Sequence, residues 1–124
     1  MKRTLSLRKN NEFKSVYEHG KSIANRQLVM YIHPNGRAEN RLGISVSKKV
    51  GNSVVRHRAK RMVKEIYRLS EDSYATGYDL VVVVRSAFLE CNYQEMTKSL
   101  LHVSRKHGLV KRSESVEKSH PIPD

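Results

Sequence analysis

Cysteine occurs once in these 124 residues, at Cys91, and tryptophan not at all. A lone thiol builds neither a disulfide framework nor a thiolate cluster for zinc, and it suits a reducing cytoplasm, where we expect the protein to reside. Acids are scarce: 12 Asp and Glu stand against 24 Lys and Arg, for a formal net charge of +12. Long apolar runs are missing too. Leu80–Val84 is far too short to span a bilayer, and the opening MKRTLSLRKNNEF is basic without the continuous apolar stretch of a secretory signal, so no membrane partner is expected. The hydrophobic fraction of 38% supports one compact core, and the chain is too short for two ordinary domains. Residues 1–110 therefore read as a single domain, and the polar segment 111–124, which ends with Pro121 and Pro123, as a disordered tail.

What the chain has in abundance is positive charge, and it is concentrated. The stretch SVSKKVGNSVVRHRAKRMVKE, Ser45 to Glu65, carries Lys48, Lys49, Arg56, Arg58, Lys60, Arg61 and Lys64, with Arg68 just beyond, against the single acid Glu65. A solubilising surface would intersperse both signs; this segment does not, and its natural target is a polyanion. With Asn52 as the helix cap and ~100° per residue, Val55, Ala59, Met62, Val63 and Ile66 share one face. His57, Lys60, Arg61, Lys64 and Arg68 occupy the opposite arc, and Arg56 and Arg58 fence the apolar stripe on its two sides. Such a helix packs with one face and reaches phosphates with the other. Arg adds a planar fork that takes two phosphate oxygens at once.

Around this segment the pattern alternates between helical and extended. Asn10 or Asn11 can cap a short helix that places Phe13, Val16 and Tyr17 at i, i+3 and i+4, and Gly20 can end it. Gln27 to His33 alternates, with Leu28, Met30 and Ile32 on one side and Val29, Tyr31 and His33 on the other, before Pro34, Asn35 and Gly36 break it. Arg41 to Ser47 alternates again, and the two strands are expected to form a hairpin. The basic helix spans about Asn52 to Leu69, followed by the polar stretch Ser70 to Gly77. Asp79 to Arg85 is a β-branched run without alternation, as in a central strand covered on both faces. Asn92 with Glu95 has the geometry of a capping box and opens a helix through Met96, Leu100, Leu101 and Val103 to Gly108. The order α-β-β-α-β-α describes an α+β protein: a two-layer α/β sandwich of helices on a small mixed sheet.

Catalytic signatures are harder to find. His19, His33, His57, His102, His107 and His120 include no i, i+4 pair and no HExxH, and no clustered carboxylates accompany the strands or the basic segment. No glycine precedes a GK[ST] sequence, so nucleotide hydrolysis lacks support and a small-molecule substrate is not expected. No protein-borne cofactor or metal is expected either. Phe13 and Tyr17 share a helix face, and Tyr31 projects beside Val29; these rings serve either as core or as a platform for stacking single-stranded bases. Both uses stay open on the residue pattern alone.

The basic segment, with Arg56, His57 and Arg58 followed by Lys60 and Arg61, closely resembles the signature of the protein subunit of bacterial ribonuclease P, known by an Arg-Asn-Arg core followed by Lys-Arg. LRKNNEFKSVYEHGKSIANRQLVMY and GYDLVVVVR extend the resemblance to roughly Leu7–Arg105. The resemblance implies a non-catalytic protein cofactor of a ribonucleoprotein endoribonuclease. Its catalyst is a partner RNA, its substrate is precursor tRNA cleaved at the 5′ end, and the ribonucleoprotein uses magnesium. It also implies a left-handed β-α-β crossover through the basic helix, against the usual right-handed preference. Carried across by position, the RNA-docking surface falls on Lys48, Lys49, Asn52, Arg56, His57, Arg58, Lys60, Arg61, Lys64 and Arg68. The cleft for the 5′ leader falls on Phe13, Tyr17, Val29 and Tyr31. Three positions depart from the family pattern: His57 stands where Asn is usual, Ser53 where Ala is common, and Lys64 where Arg is frequent. Charge alone leaves room for a ribosomal or other structural RNA-binding protein; major-groove DNA binding and an autonomous nuclease fit less well.

Overall fold

A computed structural model describes residues 3–110; the tail expected over 111–124 lies outside the described residues. The elements are β1 (Thr4–Ser6), α1 (Asn10–His19), β2 (Lys21–Ala24), β3 (Leu28–Pro34), β4 (Asn40–Val46), α2 (Ser53–Ser70), β5 (Tyr78–Val84) and α3 (Tyr93–Lys106). Short 3₁₀ turns at Glu71–Ser73 and Ser86–Glu90 complete the order. The strands form one mixed sheet in the order β1-β4-β5-β3-β2, with β1, β4 and β5 parallel and β3 antiparallel to both β5 and β2. The α+β class and the central position of β5 agree with the sequence reading.

The expected hairpin does not form. β5 lies between β3 and β4, and each pairs with it over seven and six residues respectively. The physical reason is burial: Leu80, Val82 and Val84 face one layer of helices while Val81 and Val83 face the other, so β5 is the strand that gains most from a neighbour on each side. The turn after Pro34 follows it, since Asn35 donates its backbone N–H to Gly77 O at 2.9 Å and its side-chain amide to Asp79 Oδ1 at 3.0 Å. β1 and β2 were not foreseen, because β1 has three residues and β2 offers only the half-buried Ile23.

Helices α2 and α3 cover one sheet face, where Leu28, Met30, Leu42, Leu80 and Val82 meet Ala59, Val63, Ile66, Leu100 and Val103. Helix α1 covers part of the other, where Val16 packs with Leu7 and Val81. The cap of α1 is Lys9 and not Asn10 or Asn11; no side chain caps it, and Glu12 instead accepts the Lys9 backbone N–H at 3.1 Å. Gly20 ends the helix as expected, and the Asn92–Glu95 capping box opens α3. In α2, Tyr67 replaces Val55 and Met62 among the fully buried positions; its hydroxyl sits 2.8 Å from Thr4 Oγ1 and accepts from Asn40 Nδ2 at 3.4 Å. Among the described residues no buried side-chain nitrogen or oxygen lacks a hydrogen-bond partner, and no helix is long and apolar enough to cross a membrane.

Candidate nucleic-acid interface

Helix α2 buries Ala59, Val63, Ile66 and Tyr67 against the sheet and turns its remaining circumference outward. Asn52 Oδ1 accepts the Val55 N–H at 3.0 Å and so fixes where the helix begins. Lys48 and Lys49 stand exposed in the preceding turn, and His57, Arg58, Lys60, Arg61 and Lys64 are exposed along the helix. Two arginines are engaged within the fold. The half-buried Arg56 donates Nε–H to Gly51 O at 3.2 Å, and Arg68 holds the Glu65 carboxylate with Nε and Nη2 at 3.1 and 2.7 Å. That grip lowers the Glu65 pKa below its ordinary value. Lys48, Lys49, Arg58, Lys60, Arg61 and Lys64 form no ion pair with another described residue. These cations are available to an external polyanion, as is the charge of Arg56, which the Gly51 carbonyl does not neutralise.

The helix separates two concavities. Arg58 and Lys60 are two residues apart and hence ~160° apart around α2. Lys60 lines a groove of about 520 Å³ shared with Arg8, Asn10, Phe13, Lys14 and Tyr17 from α1 and its approach, and with Ile44, Ser45 and Val46 of β4. Arg58 and Arg61 line a second cleft, toward α3.

Phe13 and Tyr17 line the first groove, and Tyr31 packs behind them outside its lining. Phe13 lies 6.4 Å from Tyr17, and Tyr17 meets Tyr31 edge-on at 4.9 Å between ring centroids. Phe13 and Tyr31 are half-buried against Leu7, Val16 and Val81, while Tyr17 is 39% exposed, so the cluster is packed and Tyr17 is its most open ring. Strand register extends the surface beyond α1: Ser45 pairs with Val83, Val83 with Val29, and Val29 with Ala24, one row along the same sheet face. Val29 thus lies on that row, outside the residues lining the 520 Å³ groove itself. Gly43 is what admits Phe13, since a Cβ there would stand 2.6 Å from Phe13 Cζ.

Sequence reasoning missed Arg8, Asn10, Lys14 and Ser45, as well as Val83. One signal was present: Asn10, Phe13, Lys14 and Tyr17 stand at i, i+3, i+4 and i+7 and form a single helical face. An ion-pair network orients that face. Arg41 bonds Asp79 through Nε and Nη2 at 2.8 and 2.7 Å and Glu12 through Nη1 at 2.6 Å. Burial pushes the Asp79 carboxyl up, but the Arg41 fork and the Asn35 amide outweigh it and hold its pKa low. Asp79 in turn raises that of Arg41, and the Lys9 backbone N–H leads the groups that lower Glu12. Among the described residues no group of three or more His, Cys, Asp or Glu is placed to hold a metal ion.

Comparison with known proteins bears directly on this arrangement. The family model described as Ribonuclease P matches residues 1–108. The chain belongs to the ribonuclease P protein family. Within it, the chain is 48% identical to the ribonuclease P protein component of Lachnoclostridium phytofermentans over 109 residues, covering 88% of this chain and 94% of that one. It is likewise 48% identical to the component from Alkaliphilus metalliredigens, with 84% and 94% covered. The solved Staphylococcus aureus RNase P protein superposes with a TM-score of 0.79 at 34% identity, over 86% of this chain and 97% of that one. The RNase P protein from Thermotoga maritima gives 0.75 at 32%, over 81% and 96%. The mixed sheet with three helices is therefore the ribonuclease P protein fold, and both the basic helix and the aromatic groove fall inside the matched region.

Proposed function

We propose that this chain is the protein cofactor of a ribonucleoprotein ribonuclease P in the cytoplasm. The exposed cations of α2 bind the catalytic RNA, and the groove beneath α1 takes the single-stranded 5′ leader of precursor tRNA. The observation that carries this reading is Lys60. It stands on the RNA-facing helix yet lines the same groove as Phe13 and Tyr17, which makes aromatic platform and basic helix one continuous surface. Aromatic rings stack bases without regard to sequence, at ~1–3 kcal/mol per base, and Arg8, Lys14 and Lys60 line the same groove and can hold the intervening phosphates. Cleavage itself belongs to the RNA, and the magnesium it uses is held on RNA oxygens. The protein's contribution is to offset phosphate repulsion and to hold the leader, so it substitutes in part for magnesium.

A cleavage assay on precursor tRNA tests this, with protein alone, catalytic RNA alone, and both together across magnesium concentrations. The expected result is no cleavage by the protein alone and stimulation of the RNA that is largest at low magnesium. Cleavage by RNA-free protein that a single substitution abolishes would overturn it. Phe13→Ala and Tyr17→Ala are expected to weaken binding of precursor tRNA relative to mature tRNA, because mature tRNA has no leader to lose.

A further inference from the structure

The second cleft, between the first half of α2 and the start of α3, is larger than the leader groove and has a different composition. It measures about 1200 Å³, above the ~300–1000 Å³ of ordinary small-molecule sites. Its walls are apolar, with Val54 and Met62 from α2 and Met96 and the Tyr93 ring from α3, while Arg58 and Arg61 stand at its rim. No acid is among its lining residues, and neither arginine pairs with another described residue. Two of the apolar residues are left in water: Val54 is 75% exposed and Tyr93 43%. An apolar trough with an unneutralised cationic rim complements a ligand that has flat apolar faces and an anionic backbone.

From this complementarity we infer that the α2–α3 cleft is a base-binding site for unpaired nucleotides of the RNA partner. Their bases enter between Val54 and Tyr93, and Arg58 and Arg61 hold the flanking phosphates. The inference rests on the proposed RNA-cofactor function and adds to it. There the helix binds phosphate backbone; here it also selects unstacked bases, which is how proteins distinguish loops and bulges from duplex RNA. The 5′ leader is not the occupant, because α2 itself stands between this cleft and the groove that contains Phe13. Arg58 and Arg61 then act at the edge of a stacking site, not on bare backbone.

The test uses the full-length protein and the catalytic RNA transcribed from the same genome. Affinity is measured across salt concentrations for wild type, Tyr93→Ala, Tyr93→Phe, Val54→Asp and Arg61→Ala, alongside melting temperatures and holoenzyme affinity for precursor tRNA. Removing the ring is expected to weaken binding of the catalytic RNA roughly tenfold with the log-log salt slope unchanged, since no phosphate contact is lost. Tyr93→Phe keeps the ring and restores affinity; Val54→Asp weakens binding; Arg61→Ala weakens it and makes the slope shallower. Unaltered affinity in Tyr93→Ala and Val54→Asp, with Arg61→Ala still impaired, overturns the base site and leaves the RNA-cofactor reading standing. Failure of the wild-type protein to bind the RNA at all removes that reading itself. A loss in Tyr93→Ala that follows a lowered melting temperature, or that appears only with precursor tRNA, also overturns the base site.

Discussion

Arg41 ties α1 to the sheet, because it bonds both that helix, through Glu12, and the central strand, through Asp79. Asp79 is 5% exposed, so removing Arg41 leaves a buried carboxylate without its arginine counter-charge and with the Asn35 amide as its remaining side-chain partner. Arg41→Ala is expected to destabilise the fold by about 3 kcal/mol, measured by chemical denaturation. It should also reduce the preference for precursor over mature tRNA, since Phe13 and Tyr17 lose their orientation. Gly43→Ala acts on the same groove by steric means: the added Cβ meets the Phe13 ring at 2.6 and 2.8 Å and Leu7 Cβ at 3.1 Å. The expected loss from this overpacking is about 1–2 kcal/mol, and a larger relative loss is expected in precursor binding. At this scale the sequence was partly legible. Spacing put Phe13 and Tyr17 on one helix face and strand parity set Tyr31 beside Val29, and the three rings do meet in the fold, whereas Arg41 reads as an ordinary surface cation in an alternating strand. Its importance comes from residues 29 positions upstream and 38 downstream, which no local pattern reveals.

Helix α2 was legible almost from end to end, because capping, period and charge all act within a few residues of one another. Asn52 is both the cap and a member of the RNA-facing surface inferred from the family, and the two roles separate experimentally. Asn52→Ala is expected to lower stability by about 1 kcal/mol, and Asn52→Ser or Asn52→Asp to recover it, as melting curves would show. If the cap is its main role, the serine variant also regains RNA affinity, whereas the aspartate variant regains stability while its negative charge weakens RNA binding. Strands were less legible than helices. β3, β4 and β5 were located from alternation and β-branched content, but their pairing depends on how much each gains from burial, and β5, buried on both faces, displaced the expected hairpin. The edge strands β1 and β2 carry too few buried side chains to show a period at all. One cation of α2 is offset within the helix itself, because Arg68 pairs with Glu65, whereas Arg56 gives a single N–H to Gly51 O and keeps its charge.

Across the whole molecule, partly or fully buried titratable groups bridge elements distant in sequence, and their bonds respond to pH. His107, at the end of α3, donates Nε2–H to Met30 O at 2.7 Å, and burial, with Lys21 nearby, pushes its pKa below the ordinary 6.5 despite that bond. The unfolded chain therefore takes up a proton first as pH falls, so this contribution is intact above about 6.5 and is lost below it. Asp79 and Glu12 are also lowered, from 3.8 and 4.5, so their contribution is held above about 4.5 and lost on further acidification. Tyr74 acts at the other end. Its hydroxyl lies 2.7 Å from Ser104 Oγ, whose own proton goes to Leu100 O, so Tyr74 is the donor, and burial pushes its pKa up to about 12 from 10.0. Its neutral form is stabilised by folding, so this contribution is present below pH 10 and is lost as pH rises toward 12. The expected melting temperature is flat between roughly pH 7 and 10 and falls on both sides, with two stages on the acid limb. His107→Gln should flatten the upper acid stage and leave the lower one, while Arg41→Ala should reduce the lower and leave the upper. Tyr74→Phe should lower the plateau, having lost its bond to Ser104, and reduce the alkaline fall, to which the Tyr67 hydroxyl, also raised by burial, contributes as well. If the upper stage persists in His107→Gln, the His107 imidazole is not its source.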